Sequence, residues 1–131
     1  MKKLSCLLLA VSAVLPLRAV ADAVVVFNEI MYHPATTETN FEWVELYNEL
    51  AVDVDVSEWS ISGGINYTFP VGSVIKGRGY AVVAVSPSAL AAATGLNGIY
   101  GPYTNRLSNS GDVVRLRNNS GRLMDEVSYG V

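Results

Sequence analysis

The sequence holds one histidine, one cysteine and twelve acidic residues. A Ser–His–acid nucleophile would have to use His33, with Ser57 or Ser62 as the attacking hydroxyl. Neither serine sits in a Gly-x-Ser-x-Gly elbow. His33 precedes Pro34 at the end of an apolar run and reads as an exposed turn residue. One histidine cannot build a multi-histidine metal site, and one cysteine can form neither an intrachain disulfide nor a zinc cluster. Paired carboxylates at about 5–9.5 Å could hydrolyse a glycoside, with Glu42 and Glu45, or Asp53 and Asp55, as the pair. Asp53 and Asp55 stand two apart on a strand and face water together. Calcium would need clustered oxygens, and Glu29, Glu42, Glu45, Asp53 and Asp55 are the residues that could converge. No EF-hand or glycine–aspartate repeat accompanies them. The pattern therefore favours solvated carboxylates: no catalytic residue and no cofactor are expected, and Glu29, Glu45, Asp53 and Asp55 are the set that would hold calcium if any did. Tyr32, Tyr80, Tyr100 and Tyr103 could instead form a stacking platform for a polysaccharide.

The elements that must position these residues begin after an address. Lys2 and Lys3 precede an uncharged run from Leu4 to Leu17, and Ala19-Val20-Ala21 is a small-x-small cleavage site. This is the pattern of a secretory signal peptide over residues 1–21. The run is shorter than the roughly 20 residues a membrane span needs, so cleavage leaves no transmembrane segment. Cys6 stands at the start of this run, before the hydrophobic core of the signal, whereas a lipoprotein cysteine would follow that core. Without residues 1–21, and so without Lys2, Lys3 and Arg18, six basic residues face twelve acids, a net charge of −6. Such a surface repels phosphate backbones and argues against a nucleic-acid partner. The expectation is a periplasmic, cell-surface or extracellular domain over residues 22–131 that is held together by its core alone.

That domain reads as strands and turns. Ala23–Tyr32 is β-branched and stops at Pro34. Phe41–Tyr47 alternates apolar residues with Glu42 and Glu45, and Ala51–Val56 alternates valines with Asp53 and Asp55. Trp59 and Ile61 precede a Gly63-Gly64 turn; Tyr67–Phe69, Val74-Ile75 and Tyr80–Val85 follow. Trp59 is the expected core anchor, and Trp43 and Tyr47 share one face. Ser86, Pro87 and Gly95 bracket one short helix near 87–94. Gly95–Tyr103 reads as loop, and Asp112–Arg117 and Arg122–Tyr129 as a hairpin about Asn118–Gly121. Seven or eight short strands with regular turn signals define an all-β sandwich.

Three blocks then acquire a meaning together. They are Val26–Pro34 with Glu42-Trp43-Val44-Glu45-Leu46-Tyr47-Asn48; Val54–Ile61 closed by Tyr67-Thr68-Phe69-Pro70; and Leu107–Leu116 with Gly121 and Asp125-Glu126-Val127-Ser128-Tyr129. In this order they resemble the lamin-tail domain, an immunoglobulin-like sandwich, and its exported bacterial branch more than the nuclear lamins. The resemblance implies a non-catalytic interaction or tethering module with a protein or cell-envelope partner. The alternative it implies is an accessory module, binding polysaccharide or calcium, of a secreted hydrolase. Members of that branch usually continue past the tyrosine with a Trp-Pro segment and a Gly-Ser-Leu strand. With Gly130-Val131 last, the expectation is either a longer reading frame or a sandwich short of its final strand. The open edge of such a sandwich invites pairing with another chain.

Overall fold

The computed structural model describes residues 24–35 and 39–130. The signal-peptide reading lies outside these residues. The chain runs β1 (Val25–Met31), a 3₁₀ turn (Thr39–Phe41), β2 (Trp43–Asn48), β3 (Val54–Asp55), β4 (Ser60–Gly63), β5 (Ile65–Thr68), β6 (Val74–Ile75), β7 (Tyr80–Ala84), α1 (Pro87–Thr94), β8 (Thr104–Asn105), β9 (Gly111–Arg117) and β10 (Leu123–Gly130). One sheet has the order β1-β2-β7, a second β10-β9-β4-β5-β8, and β3 pairs with β6 as a short ribbon. All strand pairings are antiparallel. This is the all-β sandwich expected, with α1 over the predicted 87–94.

Alternation sets the core. Val44 and Leu46 of β2, Ala81 and Val83 of β7, Ile61 of β4, and Val114 and Leu116 of β9 all point inward and are buried. Trp59 is buried in this core, 7% exposed. Two bulges adjust the phase. In β1 the register shifts between Phe27 and Glu29, so Asn28 and Glu29 together oppose Glu45. Both then point outward, while Val25 and Phe27 before them and Ile30 after them face the core. In β10 the shift falls between Leu123 and Asp125. It turns Met124 inward, and Asp125, Val127 and Tyr129 follow on the core side while Glu126 and Ser128 stay exposed.

Gly63 closes the β4–β5 hairpin at φ 103°, and a Cβ there would lie 2.0 Å from the Val113 carbonyl oxygen. Only glycine fits a turn held this close to β9. α1 ends on Gly95 at φ 74°, whose N–H reaches the Ala91 carbonyl at 2.8 Å. Ser86 precedes the helix but makes no side-chain cap bond. Leu90 is the buried anchor of the helix.

Three details depart from the sequence reading. The valine–aspartate alternation of 51–56 forms only the two-residue β3: Val52 is 64% exposed while Val56 is fully buried. Glu42 is not on a solvated face but buried. Tyr103 is not exposed either: it is 4% exposed and belongs to the core.

Candidate interaction surface

Side chains that could do chemistry are tied to the fold. Asn48, the last residue of β2, is fully buried. Its amide nitrogen donates to the carbonyls of Val52 (2.8 Å), Ile75 (3.1 Å) and Lys76 (3.1 Å), and its Oδ1 accepts the Leu50 N–H (2.9 Å). One side chain thus holds the β2–β3 turn against β6. Glu42 accepts the Tyr103 hydroxyl (3.3 Å) and the Leu107 N–H (3.2 Å) on Oε2. Burial, reinforced by the Glu42 carboxylate, pushes the Tyr103 hydroxyl far above its ordinary range. Burial first, then the nearby Asp112 carboxylate, pushes Tyr129 up to about 12.

The seam between the two sheets is tied in the same way. The backbone N–H of Phe27 points off the outer edge of β1, away from β2. The Asp125 carboxylate of β10 accepts it at 2.8 Å. The rings of Tyr32 and Tyr129 stack across the same seam with centroids 4.5 Å apart.

The calcium set does not converge. Asp53 pairs with Lys76 at 2.8 Å and takes the Gly77 N–H at 3.0 Å; these contacts hold its carboxyl below the usual range, the Lys76 bond contributing most. Asp55 takes the Ser57 N–H at 2.8 Å, and contacts with Ser57 likewise lower its titration. Glu29 and Glu45 are register partners across β1 and β2, and Glu45 accepts the Asn28 amide at 2.7 Å. Among the described residues no group of three acidic, histidine or cysteine side chains could hold a metal. His33 is exposed beside Tyr32, and the Ser57 hydroxyl accepts the Gly72 N–H at 2.8 Å. The four tyrosines do not form one platform: Tyr103 is buried, Tyr32 lies at the seam, and Tyr80 and Tyr100 line one groove with their rings against Tyr47 and Phe69.

Tyr80 and Tyr100 line a groove of about 380 Å³ beside the outer edge of β7. Its construction follows from ladder parity. Asn48 N–H bonds the Gly79 carbonyl and Val85 N–H bonds that of Glu42, so residues 79, 81, 83 and 85 use their backbone on β2. Tyr80, Val82 and Ala84 therefore point their N–H and C=O groups outward. Tyr100 occupies part of that edge as a one-residue parallel bridge: its N–H bonds the Val82 carbonyl (2.8 Å), and its carbonyl takes the Ala84 N–H (2.9 Å). Tyr103 N–H reaches the Ala84 carbonyl. The N–H and C=O of Tyr80 and the N–H of Val82 open on the groove. Leu96, Ile99 and Tyr100 wall one side, Val74 lines it further, and Glu45 joins from the outer face. The Leu96–Ile99 loop also borders a shallower hollow of about 280 Å³ against α1.

Fold and side-chain contacts together define an immunoglobulin-like sandwich whose polar side chains lock strands and turns. The lamin tail domain family matches residues 19–131, and the chain belongs to that family. No curated protein matches it. Among the described residues no helix is long and apolar enough to cross a membrane.

Proposed function

We propose that this is an exported, non-catalytic lamin-tail domain that tethers a protein or cell-envelope partner through surface complementarity. The observation that carries it is the outward display of large apolar side chains: Leu50, Val52, Val71, Val74, Tyr80 and Leu96 are 41–80% exposed. Three of them, Val74, Tyr80 and Leu96, line one groove, and clustered apolar exposure marks partner surfaces where singly scattered apolar residues do not. Membership of a family of interaction domains supports the same reading. Export rests on the charge, run length and cleavage pattern of residues 1–21.

The test is to express the whole chain in a secreting host and read the N-terminus of the exported product, which is expected at Asp22. The exported protein is then photo-crosslinked to an envelope fraction. A saturable partner lost on Val52→Asp or Leu96→Asp supports tethering, and absence of any saturable partner refutes it. Hydrolysis of a peptide, ester or glycoside panel by the purified chain, abolished by His33→Ala or Glu45→Gln, would overturn the non-catalytic reading.

A further inference from the structure

We infer that the groove beside Tyr80–Val82 takes an extended peptide segment of a partner protein, one with an apolar side chain two positions from a lysine or arginine. This rests on the interaction-module reading and names its ligand class.

The backbone supplies the first argument. The outward N–H and C=O of Tyr80 and the N–H of Val82 stand at strand spacing on an edge that Tyr100 already extends by one residue. A peptide laid along this edge continues the ladder, as in β-strand addition. The free stretch spans Tyr80 to Val82, so only a short segment is engaged.

Side chains supply the second. Tyr80, Val82 and Glu45 share the outer face of the sheet, because Glu45 is the register partner of Val82 and Tyr47 that of Tyr80. Peptide residues opposite Tyr80 and Val82 project to that same face, two positions apart. The one opposite Tyr80 meets Val74 and Leu96, which are 42% and 49% exposed. The one opposite Val82 extends toward Glu45. The contact that Glu45 makes to Asn28 is with a neutral amide, so a lysine or arginine would supply the cation. The acidic excess of the chain, −3 in all, favours the same sign of partner. The volume, about 380 Å³, is at the lower end of small-ligand sites, which run from about 300 to 1,000 Å³.

Two other occupants fit less well. A sugar would stack on aromatic faces, but the Tyr80 ring is already against Tyr47 at 4.9 Å. Among the described residues a second copy has the required pattern at Val113-Val114-Arg115, in β9 with a strand on each side; at Val74-Ile75-Lys76, where Asp53 holds the lysine; at Arg122-Leu123-Met124, whose methionine is buried in the core; and at Arg78-Gly79-Tyr80, which belongs to the groove itself.

The test is selection of a displayed random heptapeptide library on the whole chain, followed by amide-shift mapping with the enriched peptides. Expected are sequences with an apolar residue two positions from Lys or Arg, and shifts at Tyr80, Val82 and Gly98–Tyr100. Leu96→Asp should weaken binding about tenfold, and Glu45→Lys should switch the selected charge to Asp or Glu. Peptides that bind but shift another surface overturn the groove while leaving the interaction module standing. Failure to enrich any peptide overturns the groove, and the envelope crosslinking then decides the broader reading on its own. Retention of the chain on an insoluble polysaccharide, lost on Tyr80→Ala, assigns the groove to sugar and also overturns the proposal.

Discussion

Asn48 offers the sharpest test of how this sandwich is held together. Its side chain has no solvent contact and meets four backbone groups: three carbonyls and one N–H. Asn48→Ala strands these groups in a region water reaches poorly. A buried polar group left without its partner costs about 1–3 kcal/mol. Rearrangement of the exposed Val52 and Lys76 ends relieves part of that, so the expected loss is about 3–4 kcal/mol. Against a total of roughly 5–15 kcal/mol for a domain of this kind, that is a large fraction. Asn48→Asp keeps the shape and replaces the donor with an anion facing three carbonyl oxygens. Burial and those dipoles would raise the folded-state pKa of the new carboxyl above its unfolded value. The sign follows. The protonated acid is the form the fold accepts, so the variant holds most stability below the unfolded pKa of about 3.9 and loses it as pH rises, at up to about 1.4 kcal/mol per unit until the folded pKa is passed.

The assay is urea unfolding followed by tryptophan fluorescence, to which buried Trp59 and half-buried Trp43 both contribute and which should report the loss of the core. With a slope of about 1.5–2 kcal/mol per molar urea, Asn48→Ala should lower the midpoint by about 2 M. The difference between wild type and Asn48→Asp should widen from pH 4 to pH 7. An alanine variant within about 0.5 kcal/mol of wild type, or an aspartate variant whose deficit does not change with pH, would refute the assignment of Asn48 as the lock between the β2–β3 turn and β6.

Other residues give separable outcomes. Asp125→Ala should cost about 1–3 kcal/mol by freeing the Phe27 N–H on the β1 edge, and light scattering should show concentration-dependent association that wild type lacks; a monomeric variant of unchanged stability would count against the seam. Gly63→Ala should destabilise by roughly 3 kcal/mol, combining a φ of 103° with a Cβ 2.0 Å from the Val113 oxygen; a melting temperature equal to wild type would contradict that geometry. Asp53 should titrate below its ordinary 3.8 in a carboxyl NMR titration and move back up in Lys76→Met. Because its folded pKa is lowered, any stability it contributes is present above pH 4 and disappears as pH falls below that; an Asp53 midpoint unmoved by Lys76→Met would show that the ion pair does not form in solution.

The order of strands and the position of α1 were legible because period-two patterning and turn residues are local signals. The inner face of β2 was misread for an equally local reason. Residues 42, 44, 46 and 48 share a face, and two of them, Glu42 and Asn48, are polar, so hydropathy alone breaks the alternation at both ends. The parity was present in Val44 and Leu46; extended one step each way, it would have marked Glu42 and Asn48 as buried polar residues needing partners. Those partners, Tyr103, Leu107 and Ile75, lie 27 to 65 positions away, beyond any local reading. In β10 alternation alone puts Asp125 on the inner side with Val127 and Tyr129, but what it caps there, the Phe27 N–H, lies 98 positions away. The groove at β7 carried no local signal, since it exists only because α1 returns Tyr100 to the edge.

These devices explain why one short edge stays open. An unprotected sheet edge invites uncontrolled pairing, and the three-stranded sheet has two edges, β1 and β7. At β1 a carboxylate from the opposite sheet caps the Phe27 N–H and two tyrosine rings cover the seam, which leaves a charge where an added strand would lie. At β7 the backbone of Tyr100 and Tyr103 takes the Val82–Ala84 end. What stays free there is Tyr80 to Val82, flanked by the Leu96–Ile99 loop. A stretch that short cannot template a growing sheet, because the loop blocks its continuation, yet it keeps enough outward N–H and C=O groups to fix the register of one docked segment. Covering one edge with side chains and the other with the backbone of Tyr100 and Tyr103 yields a sheet closed to its own kind and open to a short ligand at one place.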